Sequence, residues 1–379
     1  MSVSLNETSQ TAGTTLEVDV PVLVATGRPL EIQRLTVDPP QAGEVRIQMA
    51  ASGVCHSCLH AVDGSHEGLP LPLVLGDEGA GTIESVGTGV VGLAPGDRVI
   101  ISWAPGCGRC RSCQAGKPGV CLDPPPFGGG IDGTPRFHRD GEPVHHYGPA
   151  TYAPYTVIPA RGAIKLPDAM PLELAALVGC AVTTGCGGVL NAARVRAGES
   201  VAVFGCGGIG LSAVLGAVVA GATPIVGVDT RAAKLDYARE LGATLTVDAS
   251  AGDPAEQIKA LVPGGVDHAI VAVGDATAVE QAFAALAVGG TCVLLGNPPT
   301  RTKPIELPPH QLLVGERTLV GSVYGSSNPP LDFPRFVDLH LAGRLPLDRL
   351  VTRRYPLDEA DQAFADLAAG ELARGLIVF

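Results

Sequence analysis

The sequence predicts a β-rich domain interrupted by a doubly wound, parallel α/β domain. Three observations predict it. The chain has 379 residues, more than a single hydrophobic core ordinarily serves. Its first half runs in short alternating stretches broken by glycine and proline. From about Ala181 it changes to buried apolar strands alternating with helices, the pattern of a parallel sheet covered on both faces.

In chain order, Val18–Ala51 alternates and breaks at Gly27-Arg28-Pro29 and Pro39-Pro40. Leu75–Ile101 behaves alike, with Gly76, Gly79, Gly81, Gly87, Gly89, Gly92 and Gly96 as punctuation. Both read as short strands and turns of a twisted antiparallel barrel. Asp123–Pro149 is polar and rich in glycine and proline, and reads as a loop lying over something. Ser200–Phe204 is a buried strand, Gly208–Val219 a helix of small residues, and Ile225–Asp229 a second strand. Arg231–Leu241 is an amphipathic helix ended by Gly242. Strands over Thr244–Asp248, His268–Val273 and Thr291–Leu295 enclose helices at Ala255–Leu261 and Ala276–Leu286. Beyond Gly325 the pattern turns irregular, with helices at Asp332–Ala342 and Asp358–Ala369. A last strand, Leu376–Phe379, returns to the first domain. The boundaries are 1–181 and 325–379 for the β-rich domain and 182–324 for the parallel one.

Composition excludes several classes. Hydrophobic residues make up 46% and charged residues 17%, enough for packed interiors. Aromatics are only 4%, so the cores are filled by Val, Leu, Ala and Ile. The net charge is −12. With no basic stripe, nucleic acid and anionic membrane are poor partners. Leu211–Val228 is broken by Gly216, Gly221 and Pro224 and reads as helix, turn and strand, not a membrane span. Met1–Leu16 is polar, lacks an apolar core and reads as a disordered start rather than a signal peptide. The expected setting is reducing cytoplasm, where ten cysteines point to metal ligands before disulfides.

Two motifs carry chemistry. Gly205-Cys206-Gly207-Gly208-Ile209-Gly210 follows a buried strand and opens a helix, and Asp229 lies 19 residues beyond Gly210 at the end of the next strand. Glycines there allow a tight turn and close approach of pyrophosphate to the helix N-terminus. A carboxylate at Asp229 would accept from the adenosine ribose hydroxyls and repel a 2′-phosphate, which favours NAD over NADP. Arg231, two residues on, weakens that preference. Cys107, Cys110, Cys113 and Cys121 form the second motif, C-x2-C-x2-C-x7-C. Four thiolates so spaced suit a closed, tetrahedral, structural zinc site. Cys186, Cys206 and Cys292 read as small buried apolar residues.

Taken in order, Cys55, Gly76–Gly81, the cysteine lobe, Cys180 and the glycine turn make the chain resemble the zinc-dependent medium-chain alcohol dehydrogenases. The resemblance covers nearly everything after residue 18. It implies a GroES-like catalytic domain with an inserted Rossmann domain and an active site in the cleft between them. It implies NAD(H), a structural zinc, a small alcohol or carbonyl substrate, and a homodimer, the last because Asp123–Pro149 resembles a loop of dimeric members.

Residue by residue, Cys55 and Cys180 match thiolate ligands of the catalytic zinc, and Asp77 stands where the family has a histidine ligand. Glu78 matches an acidic neighbour beneath the metal. Ser57 matches the hydroxyl that takes the substrate proton, and His60 the base that passes it on. Thr184 matches a contact to nicotinamide, Lys234 one to the adenosine ribose, and Arg374 one to the pyrophosphate. His56 replaces an arginine often found at the same phosphates. Trp103, Tyr152 and Tyr324 fall where the family lines its substrate and cofactor clefts. His66 and Glu67 lie near the cleft mouth; His145 and His146 read as solvated or structural. Leu122-Asp123-Pro124-Pro125 after Cys121 lacks the arginine of the formaldehyde and glutathione-adduct branch, which disfavours it.

Asp77 decides what the resemblance leaves open. Two thiolates and a carboxylate over-neutralise zinc by one charge and weaken it as a Lewis acid. Cys58 stands where the family commonly has an aspartate supporting the histidine. Three readings follow. Zinc binds Cys55, Asp77 and Cys180 and stays open to substrate; or Cys58 or Glu78 completes a closed site; or no metal binds and proton donors carry the reaction. The leading function is an NAD-dependent alcohol dehydrogenase or carbonyl reductase. The alternatives are a reductase of conjugated or iminium substrates, and a non-catalytic NAD(H)-binding protein.

Overall fold

The computed structural model describes residues 13–125 and 129–379. The disordered start read over Met1–Leu16 therefore falls largely outside the described residues. Three sheets organise the rest.

The first is a closed barrel, in the order Leu16–Leu23, Glu31–Val37, Phe137–Arg139, Glu142–His146 and Leu73–Val74. Val20, Val22, Val37, Val74 and Phe137 fill it. The second sheet runs Ala163–Lys165, Arg98–Ile101, Gly79–Val86, Glu44–Gly53, Arg374–Val378 and Val351–Pro356, and Tyr155–Pro159 also pairs with Glu44–Gly53. The returning strand expected at the C-terminus is there, with Leu376 opposite Gly53. A bidentate pair, Arg136 Nε and Nη2 to Glu44 Oε2 and Oε1 at 2.9 and 2.8 Å, ties barrel to sheet.

The third sheet is parallel throughout. Its order is Leu245–Asp248, Ile225–Asp229, Val201–Phe204, Val266–Val271, Leu286–Leu294 and Thr318–Gly321. Numbered along the chain, this is 3-2-1-4-5-6, which places the topological switch beside Val201–Phe204, where ligands of such sheets bind. One apolar cluster, containing Ala80, Ile100, Leu177, Val203 and Phe336, runs continuously from the second sheet into the third.

The structure differs from the sequence reading at several elements. Asp123–Pro149 is not all loop, since Phe137–Arg139 and Glu142–His146 form a hairpin that closes the barrel. Its turn residues Asp140 and Gly141 sit at φ 51° and 85°, as an Asp-Gly hairpin turn requires. The barrel and the open sheet are separate bodies, where the sequence suggested one barrel. Cys180 lies inside a helical run over residues 172–193 that the sequence reading passed over. That run has the length and hydropathy of a membrane span, yet 89% of its apolar window is buried inside the protein.

Candidate active site

Cys55 lies two residues beyond the strand Glu44–Gly53, at the N-cap position of the helix His56–Asp63, with its side chain free of the cap. Asp77 lies between the strands Leu73–Val74 and Gly79–Val86. Cys180 sits in a π-helical turn, Val178–Val182, a local widening frequent at functional sites. These three elements bring one donor atom each from Cys55, Asp77 and Cys180 within 4.8 Å of one another, and all three residues are buried.

Their electrostatics follow from crowding. A hydrogen bond from Cys180, set against burial, brings Cys55 down to about 6. The same contact and burial hold the proton on Cys180. Burial first, then the charge of Cys55, pushes Asp77 well above the usual carboxylate range. Three anionic donors cannot stay ionised together out of water. A divalent cation would satisfy them, and two thiolates with a carboxylate are a legitimate zinc set. Cys58 is fully buried beside this trio, with its Sγ 3.8 Å from Asp77 Oδ1.

Glu78 lies directly behind. It accepts from the Ala181 N–H at 3.1 Å and pairs with Arg374 Nη2 at 2.5 Å. Burial raises Glu78 to about 7 even against that neighbouring charge. Arg374 also reaches the glycine turn, because a Cβ on Gly208 would stand 2.3 Å from Arg374 Cδ. The Nε of Arg374 is buried and unpartnered.

The turn fits a dinucleotide. Gly205 has φ 88°, which favours glycine. A Cβ on Gly210 would stand 1.7 Å from the Gly205 carbonyl oxygen, so helix and strand pack without a side chain there, whereas one on Gly207 would meet nothing. Asp229 accepts from the Cys206 N–H at 2.8 Å and the Arg231 N–H at 3.1 Å. The open face at Gly207, the N-terminus of Gly208–Ala220 and the unpartnered Arg374 nitrogen are suited to pyrophosphate. His56 lies close enough to Lys234 and Arg374 for their charges to lower its pKa, after desolvation and His60, although its outer edge is open to solvent. The rings of His56 and His60 are 5.7 Å apart.

A cavity of about 1010 Å³ joins these parts. It is lined by Cys55, Ser57, Asp77, Trp103, Cys180, Thr184 and Tyr324, and reaches Ile209 and the Leu294–Pro298 segment at the carboxyl end of a parallel strand. The Trp103 and Tyr324 rings pack with centroids 4.6 Å apart, tilted by 39°. Tyr324 takes φ 57°, rare for a bulky residue, and its hydroxyl donates to the Gly179 carbonyl beside Cys180. At the mouth, the Thr300 N–H donates to the Ser65 carbonyl at 3.0 Å and Arg301 pairs with Glu67 at 3.0 Å. That contact joins the two domains across the cleft.

Tyr152 is a correction. It is fully buried, its hydroxyl donates to Gly53 at 3.1 Å, its ring packs on Phe364, and it is not on the cavity wall. Tyr147 is on the wall instead, with its hydroxyl 3.1 Å from the Ser57 carbonyl and its ring against His66. No sequence signal separated the two, because Tyr147 follows the hairpin that was read as loop. His146 is structural, and fully buried.

The second cysteine group also converges. Cys107, Cys110, Cys113 and Cys121 hold their sulfurs within 4.8 Å. The Cys110–Cys121 and Cys107–Cys113 sulfur separations are 3.8 and 4.0 Å, against about 3.8 Å for a tetrahedron with zinc–sulfur bonds of about 2.3 Å. The N–H groups of Cys107, Cys110, Cys113, Leu122 and Asp123 point at these sulfurs, as stabilised thiolates require. Cys186, Cys206 and Cys292 are buried apart from both groups.

A thiolate-lined cavity between a parallel nucleotide-type domain and a β-rich domain with a four-cysteine lobe defines a zinc-binding dehydrogenase. Residues 41–168 match the alcohol dehydrogenase GroES-like domain and residues 208–342 the zinc-binding dehydrogenase domain. An NDMA-dependent alcohol dehydrogenase of Amycolatopsis methanolica is 42% identical over 94% of this chain and 97% of its own. The crystal structure of an alcohol dehydrogenase zinc-binding domain protein from Burkholderia ambifaria superposes with a TM-score of 0.92 at 38% identity, over 96% of this chain and 99% of that one. Benzyl alcohol dehydrogenase from Acinetobacter calcoaceticus gives 0.91 at 32%, with the same coverage. The chain belongs to the zinc-type medium-chain alcohol dehydrogenase family and is an oxidoreductase.

Proposed function

We propose that this protein interconverts an apolar or aromatic alcohol and its carbonyl compound, using NAD(H) and a metal held by Cys55, Asp77 and Cys180. The observation that carries it is the convergence of those three donors on a cavity that also reaches Thr184 and Ile209. When bound, the metal would polarise the alcohol oxygen and nicotinamide would take the hydride. The chain's own groups handle the proton and the fit. Ser57, on the cavity wall, takes the hydroxyl proton. His60, one turn along the same helix, passes it towards solvent. Trp103, Tyr147, Tyr324, Leu295 and Pro298 exclude water and select an apolar substituent, and the name of the Acinetobacter relative supports an aromatic one.

NAD over NADP is supported by the Asp229 carboxylate at the end of its strand. A homodimer formed through the edge strand Thr318–Gly321 and the exposed Leu313 and Val314 is part of the proposal. So is a cytoplasmic setting, which keeps both thiolate groups reduced.

The test is metal analysis with a turnover screen. Expected are two zincs per chain and oxidation of benzylic above short aliphatic alcohols, assayed with added NAD and also with NDMA because of the Amycolatopsis relative. One zinc per chain, or no alcohol oxidised or aldehyde reduced with either acceptor, overturns the reading.

A further inference from the structure

Cys58 is placed to shape the metal centre without belonging to it. It lies one turn into the helix His56–Asp63, is fully buried, and has its Sγ 3.8 Å from Asp77 Oδ1. It is not among the three residues whose donor atoms lie within 4.8 Å of one another. We infer that Cys58 is a positioning residue, its thiol donating to one oxygen of Asp77 so that the other faces Cys55 and Cys180. The inference rests on the reading of that trio as metal ligands.

The need for such a donor is chemical. A carboxylate that binds a metal through one oxygen leaves its second oxygen to be satisfied. Asp77 is 7% exposed, so water reaches it poorly, and a buried acceptor without a donor is costly. The buried Tyr152 hydroxyl close by is directed elsewhere, to Gly53. Cys58 packs here in one apolar cluster with Leu75, Tyr147 and Tyr152.

The residue type follows as well. A histidine ligand carries a spare N–H and wants an acceptor beside it, commonly a carboxylate. An aspartate ligand carries a spare oxygen and wants a donor. A second carboxylate at position 58 would face the first across 3.8 Å or less and repel it. A thiol donates and stays neutral. Asp77 and Cys58 are thus one matched change, ligand and supporter exchanging donor and acceptor roles together.

The experiment measures zinc on the purified full chain by metal analysis and chelator competition for Cys58→Ala, Cys58→Asp and the double variant Cys58→Asp/Asp77→His. Cys58→Ala should keep the four-cysteine zinc and weaken the second by about 10–100-fold. Cys58→Asp should weaken it further, and the double variant should recover it. With cobalt at this site alone, Cys58→Ser should leave the thiolate charge-transfer intensity unchanged. Loss of one of three thiolate contributions would make Cys58 a ligand and overturn the inference. Unchanged affinity in both Cys58→Ala and Cys58→Asp would also overturn it, while the metal reading stands. A wild-type protein with one zinc overturns both. If Cys58→Ala fails to fold, Cys58→Asp against the double variant decides: equal zinc affinity in the two overturns the inference.

Discussion

Arg374 Nη2 lies 2.5 Å from Glu78 Oε1, in an ion pair between residues 296 positions apart that are 5% and 0% exposed in their side chains. The pair joins the two halves of the site. Glu78 stands behind Cys55, Asp77 and Cys180 and takes the Ala181 N–H beside Cys180, while Arg374 lies against Gly208 of the glycine turn. Two side chains, Arg374 and Glu78, thus link the glycine turn to the backbone beside Cys180.

Breaking this pair from one side should be far worse than removing both charges. Arg374→Met leaves Glu78 buried without its partner, at a cost of about 3–5 kcal/mol. Glu78→Gln/Arg374→Met should recover much of that loss, because neither buried charge remains. Thermal unfolding of the two variants checks it, and equal melting temperatures would refute the coupling.

Cofactor choice should move with Asp229. Its carboxylate accepts the Cys206 N–H of the glycine turn and the Arg231 N–H before the next helix, and its charge disfavours a 2′-phosphate. Asp229→Ser should improve NADP binding relative to NAD by about tenfold, worth about 1.4 kcal/mol. Arg231 limits the gain, since its Nη1 is held by the Ala369 carbonyl. Fluorescence titration with both reduced cofactors reads the ratio, and an unchanged ratio would mean that Asp229 only braces the turn.

Acid stability should depend on His146. His146 ends the second strand of the barrel hairpin with its ring buried against Phe137, and its Nε2 accepts the Arg136 N–H at 2.9 Å, so the neutral ring is the form the fold uses. Burial, then the charge of Arg136, lowers it to about 3, against about 6.5 in an unfolded chain. The folded value is the depressed one. Its stabilisation is therefore complete above about pH 6.5 and is lost as the pH falls towards 3, when the unfolded chain takes a proton that the fold refuses. This group alone should remove about 2 kcal/mol between pH 7 and pH 5. His146→Gln, which keeps an acceptor but does not titrate, should show a shallower loss of melting temperature over that range. Parallel profiles would exclude His146 as a source.

What the sequence disclosed follows from how local each signal was. Five of the six parallel strands were legible because they are short apolar runs between helices, and Asp229 lies at a fixed distance from the glycine turn; the sixth, Thr318–Gly321, is half-exposed at the sheet edge and was not read. The four-cysteine lobe was legible because its ligands are consecutive. Asp77 and Cys180 could be assigned only through the family resemblance, since 103 positions of sequence separate them and they meet only in the tertiary fold. Tyr147 was missed and Tyr152 misplaced for the same kind of reason. Both follow a hairpin of three- and five-residue strands, too short for alternation to show, whose Asp140-Gly141 turn was its one strong signal. Which tyrosine faced the cavity depended on how that hairpin closed the barrel.

The four-cysteine lobe should affect catalysis through the shape of the cavity. Pro118, Gly119 and Cys121 line the same cavity as Cys55 and Cys180, and Cys113 Sγ sits against Gly106 and near Pro118 in the turn that carries them. Closed coordination leaves that zinc no open position for substrate. Removing a ligand should therefore loosen one wall while leaving the reacting groups intact. Cys113→Ser should release one zinc per chain and lower the melting temperature. It should raise KM for an aromatic alcohol by about tenfold, roughly 1.4 kcal/mol of binding, with a smaller fall in kcat. Steady-state kinetics beside metal analysis decide it. A collapse of kcat at unchanged KM would place the lobe's influence on the chemical step and remove it from the cavity wall.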